Sequence, residues 1–126
     1  MRRTLTLLAA ATAALAGCGG DDGGGGPATT VPAGKPVALT ADEYKFSPKN
    51  VVVHGSTKVT ISLMNGGAQA HDVRVLRGGK DVGGTPTFGP GQTKTASVAL
   101  KPGDYEYICS VGDHEQLGMK GKLTVK

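Results

Sequence analysis

Between residues 58 and 63 the chain alternates without a break: Val59, Ile61 and Leu63 are separated by Lys58, Thr60 and Ser62. A period of two sends successive side chains to opposite faces, so this segment must be a strand with one face buried and one face wet. Val73 and Val75, set among Asp72, Arg74 and Arg77, repeat the pattern. Val98 with Leu100, Tyr105 to Cys109, and Leu123 with Val125 add further strands; Val37 to Ala41 and Val51 to Val53 precede them. No stretch in this region carries helical periodicity. Turn chemistry separates the runs at Ser47-Pro48-Lys49-Asn50, His54-Gly55-Ser56, Asn65-Gly66-Gly67, Arg77-Gly78-Gly79, Gly89-Pro90-Gly91 and Lys101-Pro102-Gly103-Asp104. Seven or eight short strands at this spacing predict an all-β domain, a Greek-key β-sandwich or barrel. Leu100-Lys101-Pro102-Gly103-Asp104-Tyr105 resembles a tyrosine corner, in which the phenol bonds back to upstream backbone.

The N-terminal part has a different character. Met1-Arg2-Arg3 is basic, and Leu5 to Ala16 is a short apolar run. Spanning a bilayer takes about 20 residues, so the run reads as the core of a signal peptide over residues 1–17. Leu15-Ala16-Gly17-Cys18 is similar to the lipobox of bacterial lipoproteins, which implies cleavage before Cys18 and lipidation of that residue. An ordinary signal peptide with Cys18 as a free or disulfide-bonded thiol is the alternative. Arg2-Arg3 leaves the secretory and twin-arginine routes both open. Residues 18–36 have little apolar content and read as a flexible glycine-rich tether, with a typical span of roughly 20–25 Å. The expected domain is therefore 37–126, exported and lipid-anchored to a bacterial membrane on its extracytoplasmic face.

A domain of that size has little core to spare. The chain of 126 residues contains no Trp, three Tyr and two Phe, so burial rests on Val, Leu, Ile and Ala, and a metal would add stability. The formal charge of +4 includes Arg2 and Arg3; without them 12 basic residues face 10 acidic ones. These are scattered, with no basic run and no interleaved aromatics, which excludes a nucleic-acid groove.

The segment Cys109-Ser110-Val111-Gly112-Asp113-His114-Glu115-Gln116-Leu117-Gly118-Met119 places Cys, His and Met five residues apart in one loop leaving a strand. His71 lies upstream at the start of another strand. Taken singly, each has a plainer reading: Cys109 as an inert thiol or a partner of Cys18, His71 as a turn histidine, Met119 as core filler. Together, one thiolate, two imidazoles and a weak thioether suit a copper ion that alternates between Cu(I) and Cu(II). His54 reads as surface, Met64 as core, and Asp113 and Glu115 as solvated charges.

Glu43-Tyr44-Lys45-Phe46-Ser47-Pro48, Asn65 to Asp72 and Leu100 to Gly121 together resemble the cupredoxin family, in particular its plastocyanin- and azurin-like electron carriers. The resemblance implies an eight-stranded Greek-key sandwich holding one type 1 copper, with His71, Cys109 and His114 as equatorial ligands and Met119 axial. Gly112-Asp113 stands where a Pro-Gly pair often precedes the second histidine. Asp72 stands where Asn is common, and its carboxylate is expected to accept hydrogen bonds from Ser110. The resemblance further implies that His114 shows a ring edge to solvent amid Val111, Leu117 and Gly118. Ile108, where plant-type members have an aromatic residue, makes a second electron port beside Cys109 less secure. The implied function is outer-sphere electron transfer with redox proteins of the cell envelope, by a monomer and without catalysis. A copper carrier or buffer of the envelope is the rival reading; it calls for a Met- or His-rich cluster, and the chain has only three of each.

Overall fold

Residues 27–55 and 57–126 are described in the computed structural model. The proposed signal peptide and Cys18 lie outside them. Ten strands and no helix are formed among the described residues: β1 (Thr29–Val31), β2 (Val37–Asp42), β3 (Lys45–Ser47), β4 (Asn50–Val53), β5 (Lys58–Asn65), β6 (Arg74–Arg77), β7 (Lys80–Gly84), β8 (Thr93–Ala99), β9 (Gly103–Ile108) and β10 (Lys120–Val125). One sheet runs β1-β4-β10-β9-β6-β7, the other β3-β2-β5-β8. Both are mixed: β1 and β10 pair with β4 in parallel, β2 pairs with β5 in parallel, and the remaining pairs are antiparallel. This is an all-β sandwich with a single apolar core between the sheets.

Period-two patterning explains which residues meet in that core. On β5, Val59, Ile61 and Leu63 are at most 2 % exposed, and the same parity carries Asn65 inward. Met64 shares its face with Lys58, Thr60 and Ser62 and is 45 % exposed, so it is not the core residue that its apolarity predicts. Burying each large aliphatic side chain contributes roughly 1.5–3 kcal/mol. Tyr105 closes the corner as anticipated, its hydroxyl donating to the Lys101 carbonyl at 2.8 Å. The Arg77 guanidinium lies 5.1 Å over its ring.

Two features exceed the sequence pattern. The strand count is ten instead of seven or eight, because β1, β3 and β7 are short edge or near-edge segments. The tether expected to run to residue 36 is also too long: Thr29, Thr30 and Val31 pair with Val51, Val52 and Val53, and Val31 is 8 % exposed. A three-residue parallel pairing with one apolar contact leaves almost no local periodicity to detect.

The β9–β10 ladder sets up one end of the sandwich. Tyr105 and Tyr107 face the core, and so does Cys109, two residues further on. On β10 the inward set is Gly121, Leu123 and Val125, with Met119 continuing the same parity before the strand begins. Gly121 is required there, since a Cβ at this position would lie 2.3 Å from Tyr107 Cζ. Tyr107 in turn donates its hydroxyl to the Pro48 carbonyl at 2.5 Å, and burial pushes its phenol far above the usual range.

Candidate metal centre

The ladder continues one step past Ile108 and Lys120: the Cys109 amide donates to the Met119 carbonyl at 3.1 Å. The loop between them is therefore a closed excursion, and strand parity alone directs both side chains inward. Inside it His114 N–H donates to Val111 O at 3.0 Å, and Met119 N–H to His114 O at 3.1 Å. These turns fold His114 back over the cysteine.

His71 arrives from the other sheet. It follows β5 after a five-residue loop and is fixed by a two-way bridge with Phe88, at 3.1 and 3.0 Å. Asn65 organises that loop from within. Its fully buried side chain donates to the Gln69 carbonyl at 2.8 Å and the Phe88 carbonyl at 3.1 Å, and accepts from the Gly67 amide at 3.0 Å.

His71 and His114 both turn Nδ1 toward Cys109 Sγ, at 3.9 and 3.5 Å. Their ring centroids are 5.0 Å apart. Metal bonds of about 2.0–2.3 Å meeting at roughly 120° would hold sulfur and nitrogen about 3.7 Å apart, so the spacing fits one shared ion. Cys109, His71 and His114 are 1, 0 and 6 % exposed. Burial pushes the Cys109 thiol upward. Among the described residues no carboxylate and no further His or Cys joins this group. Two imidazoles and one thiolate without a fourth strong donor match a type 1 copper better than structural zinc, which takes four. Met119 is fully buried at the base of the same loop.

What holds the imidazoles decides which nitrogen is free. The β2–β3 hairpin brings Glu43 and Tyr44 to this end. Glu43 Oε1 accepts from the Ala68 and Gln69 amides, both at 2.7 Å, and lies 3.2 Å from His71 Nε2. A carboxylate ringed by donors only accepts, so His71 carries its proton on Nε2 and presents a bare Nδ1. The Gln69 amide, helped by Ala68, the Glu43 amide and His71, lowers the Glu43 carboxyl below its ordinary range; desolvation opposes this. Gln69 supplies the second clamp. Its Oε1 is 2.9 Å from His114 Nε2, and its Nε2 donates to Tyr44 Oη at 3.0 Å. The Tyr44 ring sits 5.0 Å from that of His114, tilted by 55°.

Asp72 joins the two ligand segments. Its Oδ1 accepts the Ser110 amide at 2.7 Å, and its Oδ2 accepts the Ser110 hydroxyl and, at 3.2 Å, that of Thr87. Val111 is half-buried against the core, Gly118 is half-buried, and Leu117 is 51 % exposed. One implied feature is reduced: His114 keeps only 6 % exposure, with Gln69 against its Nε2 and the Tyr44 ring beside it. Ile108 is 8 % exposed, while His54 and Asp113 are exposed and Glu115 partly so. Glu43, Tyr44, Gln69 and Asn65 had no assigned role from sequence. The only signal was their place in the segments that carry the family resemblance.

The model of the cupredoxin-like domain matches residues 6–125. The chain belongs to the cupredoxin-like domain family. The cupredoxin is similar to the dithionite-reduced auracyanin of Roseiflexus castenholzii, with a TM-score of 0.66, 22 % identity, and 72 % of this chain and 96 % of that one covered. Auracyanin A, a "blue" copper protein of Chloroflexus aurantiacus, matches with a TM-score of 0.65 and 23 % identity, covering 78 and 100 %. The copper-containing nitrite reductase of Thermus scotoductus matches with a TM-score of 0.54 and 26 % identity, over 73 % of this cupredoxin but 22 % of the reductase. A comparison with curated protein sequences returns no match.

Proposed function

We propose that this cupredoxin is an electron carrier of the cell envelope, tethered through a lipidated Cys18 to the extracytoplasmic face of a bacterial membrane. The observation that carries the reading is the convergence of Cys109 Sγ with two histidine Nδ1 atoms at 3.5 and 3.9 Å in a buried pocket. Copper, when bound, supplies one-electron exchange between Cu(II) and Cu(I). The protein's part is to keep the donors still: Asp72 locks the Cys109 segment to the His71 segment, Glu43 and Gln69 fix both tautomers, and burial excludes water. Met119, inward and adjacent to Cys109 in the ladder, would supply the weak thioether donor to the copper. Donor sets held this firmly suit outer-sphere transfer, in which little has to move. They suit an exchangeable copper carrier or buffer less, since such a site needs open donors.

Redox proteins of the envelope are the proposed partners, meeting the monomer at the loop that carries Val111, Leu117 and Gly118. Because His114 is covered, electrons entering at this end cross the Gln69–Tyr44 layer instead of a bare imidazole. No substrate is turned over. The test is to add Cu(II) to the soluble domain. A strong visible thiolate-to-copper band is expected, lost in Cys109→Ser and bleached reversibly by reductant. A colourless or non-cycling complex would overturn the reading.

A further inference from the structure

This inference rests on the copper reading above. We propose that Glu43 is a positioning residue that biases the bound copper toward its oxidised state, acting through His71.

The site for the carboxylate is built. Three N–H groups converge on Oε1: Ala68 and Gln69 at 2.7 Å and His71 Nε2 at 3.2 Å. Gly67 makes room for it, since a Cβ there would lie 2.5 Å from the same oxygen. The Glu43 side chain is 27 % exposed and that of His71 fully buried, so the contact is partly shielded from water. A carboxylate on the remote N–H of a ligating imidazole raises the basicity of the ligating nitrogen and adds negative charge beside the metal. Both effects favour the more highly charged Cu(II). The half-reaction stays a plain one-electron step: Cu(II) gains an electron from a one-electron donor or an electrode and becomes Cu(I), with no proton or bond transferred. His114 lacks this arrangement, for its Nε2 meets only the neutral amide of Gln69.

The deciding variant is Glu43→Gln, which keeps an acceptor oxygen for all three N–H groups and removes only the charge. With the visible band retained, the Cu(I) to Cu(II) ratio at a fixed electrode potential should rise about tenfold, an upward midpoint shift of about 59 mV. Glu106→Gln removes the same charge from an exposed position on β9 and should shift the midpoint far less. An unchanged or lowered midpoint in Glu43→Gln, or an equal shift in Glu106→Gln, overturns the proposal and leaves Glu43 as a backbone clamp. Should Glu43→Gln fail to fold, nitrogen-15 spectra of the diamagnetic wild-type Cu(I) protein decide. A slowly exchanging proton on His71 Nε2 is expected, and a proton on Nδ1 overturns it. Absence of the visible band in the wild type would instead remove the copper reading itself.

Discussion

His71 and His114 face the same sulfur but are held in opposite ways. His71 belongs to a loop pinned by Asn65, Phe88 and Glu43, and its Nε2 meets a carboxylate. His114 sits in the turn after β9, and its Nε2 meets a neutral amide on an exposed side chain, backed by Tyr44. One half of the site is therefore anchored by charge and by the sandwich; the other is closed by the exposed Gln69 side chain and the half-buried Tyr44 ring. In the electron-carrier reading proposed above, the anchored half would preserve geometry through a change of oxidation state, and the covered half is where metal and partners would enter.

Removing each imidazole in turn is the most forceful way to test that asymmetry. His71→Gly should abolish the visible band, resist rescue by added imidazole, and lower stability by about 2–5 kcal/mol, since it opens a cavity in a closed region and strips Glu43 of a partner. His114→Gly should still bind copper and recover the band with added imidazole, which enters beneath Gln69. Titration with Cu(II) and thermal melts measure both. Equal rescue of the two variants would erase the distinction.

Gly67→Ala attacks the anchored half alone. The new methyl group would meet Glu43 Oε1 at 2.5 Å and Oε2 at 2.7 Å, forcing the carboxylate away from the Ala68 and Gln69 amides. Losing those bonds should cost about 1–3 kcal/mol and move the midpoint in the same direction as Glu43→Gln. Redox titration and denaturant melts report the two effects separately, and a stability loss without a midpoint shift would assign Glu43 to the backbone only.

The covered half should respond in rate more than in stability. Gln69→Ala removes an exposed side chain, so stability should change by no more than about 0.5 kcal/mol. Extraction of copper by a chelator should quicken several-fold as the route past His114 opens. An unchanged extraction rate would mean that Gln69 does not close that route.

Much of this site was legible because strand parity is local. The inward phase of Tyr105 and Tyr107 carries Cys109 to the interior, and that of Leu123 and Val125 carries Met119 there. The group of His71, Cys109 and His114 followed from donor chemistry and family resemblance. The cover of His114 did not, because it depends on side chains 25 and 45 residues apart in sequence: Gln69 with Tyr44, and Gln69 with His114. Glu43 was hidden for the same reason, 28 residues from His71. Met64 shows the converse, a residue whose type misleads where the alternation it sits in is correct. The β1 pairing had no pattern of its own to read.

An ion pair far more exposed than the Glu43–His71 hydrogen bond calibrates it. Arg74 donates through Nε and Nη2 to both oxygens of Asp81 at 2.8 and 2.9 Å, and the two side chains are 27 and 47 % exposed. The Arg74 hydrogen bonds, with the Gly83 amide behind them, hold the Asp81 carboxyl below its ordinary 3.8. The unfolded chain therefore binds more protons than the folded one just below that value. The stabilisation is complete above it and disappears as pH falls through the lower folded value. For so exposed a pair the size is about 0.2–1 kcal/mol, less at high salt. Asp81→Asn should flatten this part of the acid limb, lower Tm by no more than about 6 °C near neutral pH, and leave the midpoint potential where it was. If Asp81→Asn moved the potential as far as Glu43→Gln, loss of any carboxylate would suffice, and contact with the His71 ring would cease to be what distinguishes the anchored half.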